Sequence, residues 1–247
     1  MRVASIVGTR PQFIKLSQVS KQMRKVADEI IIHTGQHYDD EMDQLFFDEL
    51  GIPDPDYNLG VGSGNHGWQT GEMLREIEET LIPERPDLVL VYGDCNTTLA
   101  GALASVKLGI PVGHVEAGCR TYQKVPEEIN RRCVDHISDL LFAISEGTSQ
   151  ILESEKVPGH IFNVGSTTVD ACLHFSGIVE NTMDLDEKYF VLTLHRPENV
   201  DMALEAHKML ESIYRIKEQI VFPLHPRTGS LSEGFWVASE ARSPQLD

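Results

Sequence analysis

The chain has 247 residues, 41% of them hydrophobic, which is ordinary for a globular protein and enough for one large domain or two small ones. Its formal net charge of −17 at pH 7 argues against sequence-independent nucleic-acid binding, which needs a basic footprint. No run approaches the roughly 20 apolar residues of a membrane span, and the apolar start MRVASIVGTR is too short for a signal peptide and is interrupted by Thr9-Arg10-Pro11, so a cytoplasmic location is expected.

In chain order, a strand is predicted over VASIVGT (3–9), then a helix over 11–26 and a strand over IIIHTGQ (30–36). A helix over 66–81 leads to the strand LVLVYGD (88–94), and a helix over 97–109 to the strand PVGHVEAG (111–118). A helix over 127–139, strands over LLFAIS (140–145) and IFNVGS (161–166) and a helix over 167–175 complete the series. Short apolar strands alternating with amphipathic helices are the signature of a parallel sheet with crossover helices. The polar stretch IVENTMDLDEK (178–188) reads as a linker. The pattern then restarts with YFVLTLH (189–195), a helix over 202–219 and IVFPLHP (220–226). Two parallel strands leave apolar faces and an edge uncovered, so this second unit is expected to be incomplete. The last segment, RTGSLSEGFWVASEARSPQLD, has no clear period.

Four cysteines, Cys95, Cys119, Cys133 and Cys172, are scattered without C-x-x-C or zinc-ligand spacing. They are expected to be buried free thiols in a reducing compartment, with no metal.

Open parallel sheets bind ligands beyond the carboxyl ends of their strands. Those ends read Gly8-Thr9-Arg10, Gly35-Gln36-His37, Gly93-Asp94, Glu116-Ala117-Gly118, Gly165-Ser166-Thr167, His195-Arg196 and His225-Pro226-Arg227. Seven polar ends on one rim suggest a polar cleft. In an acidic protein, Arg10, Lys15, Arg120, Arg196 and Arg227 at or near them imply an anion, most simply a phosphate or diphosphate. The literal G-x-G-x-x-G over residues 62–67 follows the proline-rich PDPDYNL rather than a buried strand, so it is not a dinucleotide fingerprint. No P-loop or G-x-S-x-G is present.

Asp94 and Glu116 leave buried strands directly, a setting suited to proton transfer, with a helix cap as the plain alternative. PEEINRR (126–132) has two readings. Pro126 followed by Glu127 and Glu128 is good helix-start chemistry, and Glu127–Arg131 and Glu128–Arg132 make i,i+4 pairs worth about 0.2–0.5 kcal/mol each. The same charges also suit a site that moves protons on an anionic substrate.

GTRPQFIK, HTGQHYD, VYGDCNTT, HVEAGCRT, PEEINR, LTLHRPEN and HPRT, in that order, resemble the non-hydrolysing UDP-N-acetylglucosamine 2-epimerases from residue 1 to about Thr228. Details of GTRPQFIK, YNLGVGSG and PEEINR look closest to the branch acting on UDP-2,3-diacetamido-uronates. The resemblance implies an α/β, GT-B-like fold: a complete N-terminal Rossmann-like parallel-sheet domain over 1–180, and the start of a second Rossmann-like domain over 181–247, truncated. It implies inversion at C2 of a UDP-linked 2-acetamido sugar by elimination and re-addition of UDP. By similarity Asp94, Glu116 and Glu127 surround the sugar and His195 stabilises the diphosphate side. Arg10, Lys15, Arg120 and Arg196 are the substrate-binding cations. Gln36 and His37 lie in a segment associated in bacterial members with a second, activating UDP-sugar. A homodimer is a family expectation, and the chemistry requires no cofactor.

Cys95 and Cys119 stand where the family usually has Thr and Leu, and a family D-S-G-G-x-x-E-E segment that grips the nucleotide does not follow HPRT. The expectation is therefore a weakly active or inactive chain. The alternatives are a non-catalytic nucleotide-sugar-binding fragment and, more distantly, a GT-B glycosyltransferase.

Overall fold

Near-continuous runs of Val, Ile and Leu, buried on both faces, build one sheet in the first of two compact units, Met1–Val179 and Glu180–Asp247. The computed structural model describes residues 1–36, 40–178, 188–194, 208–209, 211–213 and 215–223. The strands of unit 1 are β1 (Arg2–Val7), β2 (Asp28–His33), β3 (Tyr57–Asn58), β4 (Leu88–Tyr92), β5 (Val112–Ala117), β6 (Leu140–Ala143) and β7 (His160–Asn163). They lie in the order β3-β2-β1-β4-β5-β6-β7, and every pairing is parallel.

The helices are α1 (Arg10–Met23), α2 (Asp40–Leu50), α3 (His66–Glu84), α4 (Asn96–Lys107), α5 (Pro126–Ile137), α6 (Glu146–Glu155) and α7 (Thr167–Ser176). α2, α6 and the two-residue β3 are not among the elements read from the sequence. In unit 2, β8 (Tyr189–Val191) pairs in parallel with β9 (Gln219–Val221), so the two strands expected there are present in short form.

Alternation along each strand sends side chains to opposite faces. Ala4, Ile6, Val89, Val91 and Val112 meet Met73, Ile77 and Leu81 of α3, the alanines of α4 and Val134 of α5. Val3, Val7, Ile31, Leu90 and Tyr92 meet Phe13 and Leu16 of α1 and Phe47 of α2. A third cluster places Leu152 of α6 on Ala117, Leu141 and Ala143. Burying each large side chain of this kind contributes about 1.5–3 kcal/mol, which holds the central strands rigid beneath the rim.

The strand order reverses at β1, with β2 on one side and β4, the next long strand, on the other. In open α/β sheets the crevice at such a switch point is where ligands sit.

Candidate active site

The β1–α1 turn is built by Gln12. Its Oε1 accepts from the Gly8 amide at 2.7 Å and the Thr9 amide at 3.1 Å. Its Nε2 donates to the Tyr92 carbonyl at 2.8 Å and to the Thr98 hydroxyl at 3.1 Å. One buried amide therefore ties the end of β1 to the end of β4, across the switch point. Sequence reasoning missed Gln12, although Thr9 followed three residues later by Gln is a capping-box spacing.

Asp94 follows β4 and is gripped by Arg131 of α5, with Nε at 2.8 Å and Nη2 at 2.6 Å from Oδ2. Asn130 donates to the Asp94 carbonyl at 2.9 Å. Glu116 sits in a register shift between Val115 and Ala117 of β5, with φ +74. Bulges re-aim side chains at sheet rims, and here Glu116 is turned onto Lys15 of α1, with which it forms an ion pair. Gly93, at φ +66, lies beneath this pair: a Cβ there would stand 2.9 Å from Lys15 Nζ and 3.9 Å from a Glu116 carboxylate oxygen. Gly118, at φ +80, closes the bulge where a Cβ would meet the Thr148 carbonyl at 2.5 Å. The structure thus brings Lys15, Glu116, Asp94 and Arg131 to the adjacent ends of β4 and β5.

The two adjacent glutamates of α5 differ. Glu127 is exposed and makes no hydrogen bond or ion pair among the described residues. Glu128 is buried. It accepts from the Thr121 amide at 2.9 Å, Arg131 at 3.0 Å and Arg132 at 3.0 Å. Burial alone would raise its carboxyl, but the Thr121 amide, Arg132, the Thr121 hydroxyl and Arg131 together hold it down at about 2. Of the two expected i,i+4 pairs, Glu128–Arg132 forms. Glu127–Arg131 does not, because Arg131 reaches instead for the more enclosed carboxylates of Asp94 and Glu128.

The remaining candidates are placed as follows. Arg10 opens α1 and lies over the Phe46 ring at 5.4 Å. The Arg120 side chain is fully covered and committed: it bonds Asp135 at 2.7 Å, Glu155 at 2.6 and 3.0 Å, and the Cys119 carbonyl at 2.7 Å. Burial opposes its charge, and Glu155 and Asp135 more than offset that. The Gln36 side chain is likewise engaged, accepting from the Thr97 amide at 3.1 Å and hydroxyl at 2.8 Å. His37, His195 and Arg196 lie outside the described residues.

The four cysteines are free, but they are not the buried thiols expected: Cys133 and Cys172 are exposed and the other two half-buried, because they fall on helix surfaces and at the rim. Burial pushes the Cys119 thiol up, and Glu116 adds to this, so it is a poor nucleophile.

A family model described as UDP-N-acetylglucosamine 2-epimerase matches residues 20–239. The chain belongs to the UDP-N-acetylglucosamine 2-epimerase family. It is 52% identical to a UDP-N-acetylglucosamine 2-epimerase homolog of Methanococcus maripaludis, over 95% of this chain and 68% of that protein. It is 43% identical to the UDP-2,3-diacetamido-2,3-dideoxy-D-glucuronate 2-epimerase of Pseudomonas aeruginosa, over 98% of this chain and 72% of that one. Among solved structures, the UDP-GlcNAc 2-epimerase of Methanocaldococcus jannaschii in complex with UDP-GlcNAc and UDP superposes with a TM-score of 0.85 at 45% identity, covering 99% of this chain and 72% of the other. The epimerase fold is α/β and GT-B-like, and among the described residues no helix is long and apolar enough to cross a membrane.

Proposed function

We propose that this epimerase inverts C2 of a UDP-linked 2-acetamido sugar. A base removes the C2 proton while the C1–O bond to UDP breaks, leaving a C1=C2 double bond in a 2-acetamidoglucal. UDP then adds back to C1 as a proton reaches the opposite face of C2. The chemistry needs acid–base groups on both faces of the sugar and cations that keep the departing diphosphate within reach.

The observation that carries this reading is the convergence of Glu116 with Lys15 and Asp94 with Arg131 at the ends of β4 and β5, beside the switch point of a sheet shared with a relative solved with UDP-GlcNAc. Asp94, Glu116 and exposed Glu127 serve as the carboxylates around the sugar, with Lys15 and Arg10 on the diphosphate side. By the family resemblance alone, His195 and Arg196 are also assigned to the diphosphate, and Arg120 supports the ends of β4 and β5 through Asp135. A homodimer belongs to the same reading and is checked by light scattering.

The test is proton NMR of the folded chain in D₂O with UDP-GlcNAc and, separately, its 2,3-diacetamido-uronate counterpart. Slow loss of the C2 proton with appearance of the manno epimer is expected for one of them, in keeping with the weak activity expected of this chain, and that outcome names the sugar. A C2 proton retained in both overturns the proposal.

A further inference from the structure

We infer that His114 is held as a doubly protonated imidazolium and, with Asp135, forms the positioning pair that fixes the strand-end carboxylates Asp94 and Glu116. The inference rests on the epimerase reading only for what those two carboxylates do. His114 and Asp135 are fully buried, and neither was singled out in the sequence.

His114 lies on β5, opposite Val91 of β4 and two residues before Glu116. Its Nε2 is 2.7 Å from the Gly93 carbonyl and its Nδ1 is 2.7 Å from Asp135 Oδ1. A backbone carbonyl only accepts, so Nε2 carries a proton. Asp135 Oδ2 accepts from Arg120 Nη1 at 2.7 Å and from the Gly118 amide at 3.2 Å. The Arg120 guanidinium favours an ionised Asp135, whose Oδ1 therefore accepts as well, so Nδ1 carries the second proton. The charged groups packed around the pair are Arg120 from the β5–α5 loop and, beyond it, Glu155 from α6. Burial alone would raise the Asp135 carboxyl, but the His114 and Arg120 bonds outweigh it and hold it below the usual range.

The geometry has a mechanical meaning. Asp135 holds residues 114 and 118, which flank Glu116 on both sides. Through His114 it also holds the carbonyl of Gly93, the residue before Asp94. Arg131 and Asn130, on the same helix as Asp135, hold Asp94 from the other side. One carboxylate on α5 therefore sets the spacing of both strand-end acids, and an error of about 1 Å in such spacing costs on the order of 100-fold in rate.

The experiment uses the full chain with ¹⁵N-labelled histidine. At neutral pH both ring nitrogens of His114 are expected to show directly bonded protons; a neutral tautomer overturns the inference without any variant. In H114Q and D135N, the ¹³C carboxyl signals of Asp94 and Glu116 are expected to move. C2–H exchange should fall about 100-fold at saturating UDP-sugar, with KM within about twofold. Should one variant fail to fold, the other reads the same signals. Unchanged carboxyl signals in a folded variant, or a rate loss carried wholly by KM, overturn the positioning role. Carboxyl signals that move in a chain whose wild type never exchanges C2–H support the positioning pair and overturn the epimerase reading instead.

Discussion

Two neighbouring stretches of the rim are held by opposite means. At the ends of β1 and β2 the fastenings are neutral: Gln12 on Gly8, Thr9 and Tyr92, and Gln36 on Thr97. At the ends of β4 and β5 they are ionic: Asp94 with Arg131, Glu116 with Lys15, and Asp135 with Arg120 and His114. Neutral amides fix a turn at little desolvation cost, whereas buried charges are costly unless each is matched. Among the described rim residues the ionic fastenings fall at the ends of β4 and β5, where the proposed reaction needs charge, while the pair of buried Glu29 with Arg24 lies at the opposite end of the sheet.

The comparison breaks most visibly at its ionic centre. Asp135→Ala removes the carboxylate partner of buried His114 and leaves Arg120 with Glu155 as its remaining carboxylate, and it is expected to destabilise the fold by about 3–5 kcal/mol in urea titrations. A loss below 1 kcal/mol would show that Arg120 and His114 find water or other partners. Gln12→Ala tests the neutral side. It orphans two buried amides at the start of α1, and the expected loss is about 1–3 kcal/mol, the same at pH 7 and pH 4.

Glu128→Gln separates the two stretches by pH. Because the folded carboxyl titrates near 2 rather than near its ordinary 4.5, ionised Glu128 stabilises the protein above pH 4.5. That contribution declines as the pH falls towards 2, so the variant should be weaker than wild type at neutral pH and approach parity in acid. A gap that stays constant down to pH 2 would refute the ionic account.

Glu127→Gln should be the mildest for stability, within about 0.5 kcal/mol by thermal melt, since the side chain is exposed. Its effect belongs to C2–H exchange, which should fall sharply. Full exchange in this variant would remove Glu127 from the chemistry.

The sheet and its rim were legible because apolar strands give way to charged residues at or near their ends, as at Tyr92-Gly93-Asp94 and Val115-Glu116-Ala117. The division of labour between Glu127 and Glu128 was not. Both occupy the first turn of α5, and what separates them is the Thr121 amide folding back from the preceding loop onto one carboxylate. Arg120 looked like an anion-binding cation beside a strand end; its burial against α5 and α6 depends on helix packing that no local pattern encodes. His114 left a faint trace, a polar residue inside an apolar strand, but its partner lies 21 residues away on α5. α2 and α6 went unread although their apolar stripes are no weaker than those of α3, α4 and α7, so a stripe alone did not decide which helices were recognised.

Glu116 keeps a left-handed backbone that glycine or asparagine would adopt more readily, at a cost of about 1–3 kcal/mol. A collection of variants selected only for surviving heat would be pulled towards those residues at position 116, and with them would go the carboxylate that faces Lys15. Thermal selection on this chain is therefore, at one position, selection against its proposed chemistry, and any stabilised version should be assayed for C2–H exchange before its melting temperature is taken as an improvement.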